Sequence, residues 1–174
     1  FDAAAVKANF DRIVDLKTAS AQAASMLGDK YYAGTEVVDP HTVVVSFTQP
    51  NAPFLQAAST AYLGFYSPKV LANSADKLKA GGPGITVGTG PFVLSEYVPD
   101  QELVYTRNPD YAWGPAGAPA PKFDTLRVAI VPEPAVRSGM ITSGEAELAS
   151  DIPPSAVAAL GSELTVDAKS VPGL

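Results

Sequence analysis

Two hydrophobic periodicities alternate along the first half of the chain. Apolar residues recur three and four positions apart between Val6 and Val14, which is the spacing of one helix face. Every second residue from Val43 to Phe47 is a large apolar one facing the same side, as in a strand. The predicted elements are a helix from its N-cap Asp2 to about Lys17, a helix over 19–27 ended by Gly28, strands over 32–38 and 42–48, and short helices over 53–59 and 73–78.

The second half begins with a predicted antiparallel hairpin. Residues alternate between two faces over 92–97 and again over 103–106, which is the period of a pleated strand. Pro99 and Asp100 form the turn between these runs. The elements predicted after the hairpin are a surface loop over 114–121, a strand over 126–130, a helix over 134–143 ended by Gly144, a short strand over 146–149, a helix over 154–160 and a final strand over 164–168.

A glycine-rich loop separates the two halves. Residues 80–84 read AGGPG, a composition that neither a helix nor a strand favours. We therefore predict a helix-hairpin-helix subdomain over residues 1–84 and a mixed-sheet subdomain over residues 85–174. The mixture of strands and helices predicts an α/β fold of the mixed α+β type rather than a pure β-sandwich.

Composition and charge exclude several classes of protein. A chain of 174 residues that is 47% hydrophobic and 17% charged is ordinary for a globular domain with a sizeable core. The net charge of −6 disfavours nucleic acid as a partner, because phosphates need clustered basic residues. The absence of cysteine excludes disulfides, zinc-thiolate sites and thiol nucleophiles within this sequence. The sequence contains no membrane-length apolar run and no signal sequence at its start, so we expect any signal or lipid anchor to lie upstream.

Few residues suggest catalysis or metal binding. His41 is the single histidine and falls in a predicted turn, which excludes a histidine-dependent triad or a polyhistidine metal site within this sequence. Glu145, Glu147 and Asp151 form the densest acidic group, and paired carboxylates serve as acid and nucleophile in some hydrolases. Solvated or ion-paired surface carboxylates are the simpler interpretation. We predict no metal site and no cofactor.

Several segments resemble one family. Residues 88–94 read GTGPFVL, residues 96–99 read EYVP and residues 103–113 read LVYTRNPDYAW. Together they resemble the signature of the family 5 solute-binding proteins, which are extracytoplasmic receptors of ABC importers. Further similarity over 1–12, 38–45, 49–55, 67–71 and 137–148 extends the resemblance over nearly the whole chain.

The resemblance implies a fold. It is part of lobe I of a two-lobe periplasmic-binding-protein-like (type II) fold. Because members of the family are considerably longer and this sequence begins inside a helix motif, we expect a fragment without lobe II. Such a fragment is expected to fold but to bind ligand weakly or not at all, since it holds at most one wall of the cleft.

The resemblance also implies where a ligand binds. The predicted ligand-binding residues are Tyr62, Phe65, Tyr66, Ser150 and Asp151. The three aromatic residues lie near the cleft entrance in related receptors and suit the wall of a peptide site, and packing in the core is the alternative. The other two fall in a loop that approaches the cleft in the family, with helix capping as the alternative. Trp113 and Tyr111 are expected to cap lobe I rather than to touch ligand.

The implied function is a receptor that binds peptides in an interlobe cleft and delivers them to an ABC permease. Nickel chelates or sugars are alternative ligands within the family. A ligand-sensing or scaffold module of the same fold is the alternative function, and a carboxylate-based hydrolase is a remote one. We expect a monomeric, non-enzymatic protein outside the cytoplasm, periplasmic or at the cell surface, attached to the membrane only through an upstream anchor or the permease.

Overall fold

The computed structural model describes residues 1–15, 21–114, 120–162 and 164–167. The helices are α1 Ala3–Asp15, α2 Ala21–Leu27, α3 Phe54–Ala58, α4 Pro68–Leu71, α5 Ala75–Ala80, α6 Pro134–Ser143 and α7 Pro154–Val157, with a 3-10 turn at Ala61–Leu63. The strands are β1 Tyr32–Asp39, β2 Thr42–Phe47, β3 Phe92–Val98, β4 Glu102–Arg107 and β5 Thr125–Ala129. Contacts divide the chain into two compact units, one comprising 1–97 and 104–126 and the other 98–103 and 127–174, each as far as it is described.

Helix α1 supplies much of the core of the first unit. Its start is confirmed, because the Asp2 carboxylate accepts a hydrogen bond from the Ala5 amide at 2.8 Å. Phe10 and Ile13 are buried on its inner face, and Leu27 of α2 is fully buried against them. The predicted ends at Lys17 and residue 19 lie outside the described residues.

The first sheet is the antiparallel hairpin of β1 and β2. Thr35 pairs with Val45, and the hairpin packs against α1. The Tyr32 hydroxyl donates to the Asp11 carboxylate at 2.9 Å and lies 2.7 Å from the buried Thr35 hydroxyl. Burial, aided by the nearby Asp11 charge, raises the pKa of Tyr32 to about 12. A polar network thus joins the hairpin to α1.

The predicted turn around His41 is confirmed. His41 lies between the end of β1 and the start of β2 and is exposed. Its backbone amide donates to the Asp39 carboxylate at 2.7 Å. That bond, with the Thr42 hydroxyl, lowers the pKa of Asp39. His41 therefore lies in a solvent-exposed turn.

Strands β3, β4 and β5 form the second sheet, hydrogen-bonded in that order. The predicted hairpin over residues 92–106 is confirmed, with a turn at 99–101 in which Asp100 has φ 61°. Leu94 and Val104 are its buried residues, and the Ser95 hydroxyl donates to the Val104 carbonyl at 2.9 Å. This sheet carries the segment that resembles the family signature.

Two predicted strands are wrong. Residues 146–149 and 164–167 form no strand, and Ala168 lies outside the described residues. An apolar alternation becomes a strand only where another strand offers backbone partners, and none in the described part pairs with these segments. Leu148 is 88% exposed, which fits a segment without such a partner.

The other differences between prediction and structure concern short helices. The predicted helix over 154–160 ends at Val157, and the one over 73–78 begins only at Ala75, because Ser74 takes the N-cap position. The structure adds the 3-10 turn and α4, which the sequence pattern did not predict.

Two sequence-based predictions are only partly covered. Residues 115–119 of the predicted loop over 114–121 lie outside the described part. The division into subdomains at residues 84 and 85 stays a prediction. Among the described residues, no helix combines the length and apolar character needed to cross a bilayer.

Candidate functional site

An open groove of about 390 Å³ lies on the first unit. Its described lining comes from α1, α2, the segment 61–66 and the residues just before β3. The lining residues are Asn9, Arg12, Ile13, Ala23, Ala61, Tyr62, Gly64, Phe65, Tyr66, Thr86, Val87 and Gly88. The groove therefore brings together three of the five predicted ligand-binding residues, namely Tyr62, Phe65 and Tyr66.

The 3-10 turn sets the direction of the aromatic side chains. Leu63 is 2% exposed and anchors the turn in the core, whereas its neighbour Tyr62 is 54% exposed. Phe65 packs its ring 5.3 Å from that of Phe10 and also lines the groove. One short segment thus serves both the core and the groove, with Leu63 in the core, Tyr62 in the groove and Phe65 in contact with both.

Asn9 fixes the backbone of the aromatic segment. Its side-chain amide donates to the Tyr66 carbonyl and accepts from the Tyr66 amide, both at 2.9 Å. The same amide nitrogen donates to the Ala5 carbonyl at 2.9 Å. Asn9 is 2% exposed; its bond to the Ala5 carbonyl is buried and its two bonds to Tyr66 are partly buried. Helix α1 therefore positions Tyr66 across 57 residues of sequence.

Arg12 places a positive charge at the groove. Its guanidinium carbon lies 5.4 Å from the centroid of the Tyr66 ring, a cation–π distance. It makes no hydrogen bond or ion pair with any residue that the structure describes. Sequence reasoning missed both Asn9 and Arg12. A signal existed for Asn9, which stands between Ala5 and Ile13 on the buried stripe where apolar residues are usual.

The family-like segment begins at the same groove. Thr86, Val87 and Gly88 form part of its wall just before β3. The Thr86 hydroxyl accepts a hydrogen bond from the Gly82 amide at 3.2 Å, which ties the wall to the glycine-rich loop. Trp113 donates from its indole nitrogen to the Thr89 carbonyl at 2.9 Å, and its ring meets that of Tyr111 edge-on at 5.5 Å. The two rings therefore pack on the chain next to this wall.

Ser150 and Asp151, the remaining predicted site residues, lie in the second unit. The Ser150 hydroxyl donates to the Asp151 carboxylate at 3.0 Å, and Asp151 has φ 55°, a left-handed conformation that is costly outside glycine. Arg137 holds this loop with one donor to the Ser150 carbonyl at 3.2 Å and one to the Asp151 carbonyl at 2.8 Å. The same side chain also donates to the Val131 and Pro132 carbonyls, each at 2.7 Å. Helix α6 thus positions the loop through one guanidinium.

The acidic group of Glu145, Glu147 and Asp151 lies in the segment that follows α6. Glu145 and Glu147 lie after the end of α6 in a segment without regular structure. Within the described part of the chain, no group of three or more His, Cys, Asp or Glu residues could hold a metal ion. The groove on the first unit, which gathers three of the five predicted ligand-binding residues, is the candidate site for ligand binding.

Three known proteins are similar in sequence or structure to this chain. The probable D,D-dipeptide-binding periplasmic protein DdpA of Escherichia coli is 31% identical over 173 residues, covering 99% of this chain and 32% of that protein. The di/tripeptide-binding protein 4 of Pseudomonas aeruginosa is 36% identical over 118 residues, covering 65% of this chain and 20% of that protein. The crystal structure of NikA from Brucella suis in complex with Fe(III)-EDTA matches with a TM-score of 0.65 and 32% identity, over 83% of this chain and 27% of that one.

These matches also show how much of the relatives' fold this chain contains. The chain spans about a third or less of the length of the relatives it matches. The structural neighbours are two-lobe periplasmic binding proteins of family 5, so the fold predicted by resemblance is confirmed as part of such a protein. The family profile named bacterial extracellular solute-binding proteins, family 5, middle region, matches residues 1–174. The chain therefore belongs to the family 5 bacterial extracellular solute-binding proteins.

Proposed function

We propose that this chain forms part of lobe I of a receptor that binds peptides in an interlobe cleft and delivers them to an ABC permease. The aromatic groove carries the proposal, because an exposed Tyr62 beside Phe65 and Tyr66 offers an apolar wall of the kind that accepts peptide side chains. The names of the two sequence relatives, which bind dipeptides or di- and tripeptides, support peptide as the ligand.

The proposed mechanism is a clamp. Ligand binds between two lobes, closure of the hinge excludes water, and the closed form is the one that the permease recognises. An extended peptide is held mainly through its backbone, while water-filled pockets tolerate different side chains. The groove described above supplies one wall, and the second lobe supplies the other.

Two alternatives differ from peptide transport, one in the ligand and the other in the biological role. The NikA relative is described in complex with an iron chelate, so a metal chelate is the alternative ligand. A sensor or scaffold of the same fold would bind the same ligands without serving a permease. We propose transport rather than sensing, and a permease gene beside the gene for this protein would support that choice.

We further propose a monomeric receptor that is not an enzyme. It acts outside the cytoplasm, periplasmic or at the cell surface, and is held at the membrane by an upstream lipid anchor or by the permease. The E. coli relative is named as a periplasmic protein, which supports this location. Hydrolysis of a bound peptide that disappears in the variant Glu145→Gln would contradict the non-enzymatic part.

Thermal-shift measurements test the proposal. The full-length protein and the chain of residues 1–174 are screened side by side against di- to octapeptides, chelated nickel and oligosaccharides. A ligand that binds only the folded state raises the melting temperature. We expect peptides to stabilise the full-length protein and to leave the shorter chain unchanged. Stabilisation by chelates or sugars alone would overturn peptide as the ligand, and stabilisation of the shorter chain would overturn the two-wall site.

A further inference from the structure

We propose that Arg12 is the anchor for a ligand carboxylate in the groove, so that the site selects ligands that carry an anionic end. This inference rests on the proposed function and adds to it the residue and the chemical class that the groove recognises. It goes beyond the residues that sequence analysis singled out, since Arg12 was not among them.

The first observation is an unbalanced charge. Arg12 is the one charged residue among the described residues that line the groove. The sequence as a whole carries a net charge of −6, and Lys7, one turn and a residue earlier on α1, is already paired with Asp11 at 2.6 Å. Arg12, by contrast, has no carboxylate partner within the described part of the chain. An anion that enters the groove meets a guanidinium whose charge is not already neutralised.

The second observation is that Arg12 is positioned without using its donors. The guanidinium carbon lies 5.4 Å from the centroid of the Tyr66 ring, and no N–H group of Arg12 donates a hydrogen bond to a residue that the structure describes. Asn9, on the same helix, holds the Tyr66 backbone with two hydrogen bonds of 2.9 Å. The platform under Arg12 is therefore fixed. The N–H groups remain available for the bidentate pairing that arginine makes with carboxylates.

The third observation is the apolar surface next to the charge. Tyr62 and Phe65 line the same groove beside Arg12. Its volume of about 390 Å³ is near the lower end of small-ligand sites, which run from about 300 to 1,000 Å³. A ligand that fits places a carboxylate against Arg12 and an apolar side chain against the aromatic wall. The carboxy-terminal residue of a short peptide has this combination.

Isothermal titration of the full-length protein tests the anchor. The probes are a dipeptide of apolar residues as the free acid, the same dipeptide as its carboxy-terminal amide, and a metal–EDTA chelate as a carboxylate that is not a peptide. The variants are Arg12→Gln and Arg12→Lys, and Lys7→Gln is the matched control because it removes a positive charge from the same helix outside the groove lining. Melting temperatures verify that each variant is folded.

We expect the wild type to bind the free acid about 10- to 100-fold more tightly than the amide, as the loss of a charge-assisted hydrogen bond predicts. Arg12→Gln should erase that preference by weakening the acid alone, Arg12→Lys should keep part of it, and Lys7→Gln should keep all of it. A pH profile gives a further readout, because protonation of the ligand carboxylate should remove the preference in the wild type and change nothing in Arg12→Gln.

The remaining outcomes separate the anchor from the proposed function. If peptides bind and Arg12→Gln keeps the preference for the acid, the anchor is wrong and the peptide receptor stands. If the chelate alone binds and Arg12→Gln weakens it, the anchor stands and peptide as the ligand is wrong. If no probe binds the folded wild type, both proposals fall.

Discussion

Asn9 joins helix α1 to the aromatic segment of the groove. It is a polar residue in the buried stripe of α1, and its amide satisfies both backbone groups of Tyr66. Because these hydrogen bonds are partly buried, solvent replaces a partner removed there only in part. We therefore expect the position of Tyr66 in the aromatic wall to depend on one side chain that lies 57 residues away in the sequence.

The variant Asn9→Ala tests this dependence. We expect a loss of about 2 kcal/mol in the free energy of unfolding, because partly buried donors and acceptors lose their partners. Urea denaturation measures the loss. The control is Asn73→Ala, whose side chain makes only a local hydrogen bond to the Val70 carbonyl at 2.9 Å. Equal losses in the two variants would mean that the hydrogen bonds to Tyr66 contribute no more to the free energy of unfolding than a local hydrogen bond does.

Tyr32 gives the protein a specific response to alkaline pH. Its pKa is about 12 in the folded protein against an ordinary value of 10.0, so the unfolded chain releases this proton first. Between these two pH values the unfolded state binds fewer protons, and stability must fall as the pH rises. The contribution is complete below pH 10 and is lost through pH 12.

Denaturation of Tyr32→Phe as a function of pH tests this response. At pH 7 the variant should lose about 1 kcal/mol, since the buried Thr35 hydroxyl loses its partner. Between pH 10 and 12 its stability should fall less steeply than that of the wild type. Tyr31→Phe, which removes an exposed hydroxyl at the preceding position, is the control. An unchanged alkaline slope in Tyr32→Phe would contradict the shifted pKa.

Single residues were only partly predictable from the sequence. Tyr62, Phe65 and Tyr66 were found through the family resemblance, and the structure brings them to one groove. Their role in ligand binding stays a prediction. Asn9 and Arg12 were not found, because each contacts Tyr66 over a long stretch of sequence, and such a pairing leaves no local pattern. The sequence showed the residues, and the fold shows which of them meet.

At the scale of elements, the sequence predicted an element correctly where residues within or next to that element determine its ends. Helix α6 runs over the predicted Pro134–Ser143 and ends at Gly144, which has φ 76° as a left-handed C-cap needs. Within the described residues, the strands predicted over 146–149 and 164–168 do not form, because a strand depends on a partner elsewhere in the chain. A proline at the start of a helix and a glycine at its end are local signals, whereas strand pairing depends on residues far away in the sequence.

Two glycines of α6 give a matched test of that reasoning. Gly139 lies inside the helix and an added Cβ would meet no atom within 4 Å, so Gly139→Ala should stabilise the protein by about 1 kcal/mol through helix propensity. Gly144→Ala should destabilise it by about 1 kcal/mol, because alanine resists a left-handed conformation. Melting temperatures should therefore move in opposite directions. Shifts of the same sign would show that the end of α6 is not set by Gly144.

At the scale of the whole molecule, we propose that this chain holds one wall of a ligand site that another part of the protein completes. It spans 32% of the E. coli relative and 27% of the NikA structure, and those relatives are two-lobe proteins. A groove that is open on one side suits a clamp in which the second lobe excludes water. Ligand affinity is therefore expected to belong to the full-length protein, with Tyr62 among the residues that carry it.

The affinity of the full-length protein for a dipeptide, compared between wild type and Tyr62→Ala, tests the central claim most directly. Tyr31→Ala is the matched control, because Tyr31 is 41% exposed and is not among the residues that line the groove. We predict that Tyr62→Ala binds at least about tenfold more weakly, as expected for an aromatic side chain buried by ligand, and that Tyr31→Ala binds like the wild type. Unchanged affinity in a folded Tyr62→Ala protein would show that the aromatic groove is not the ligand site.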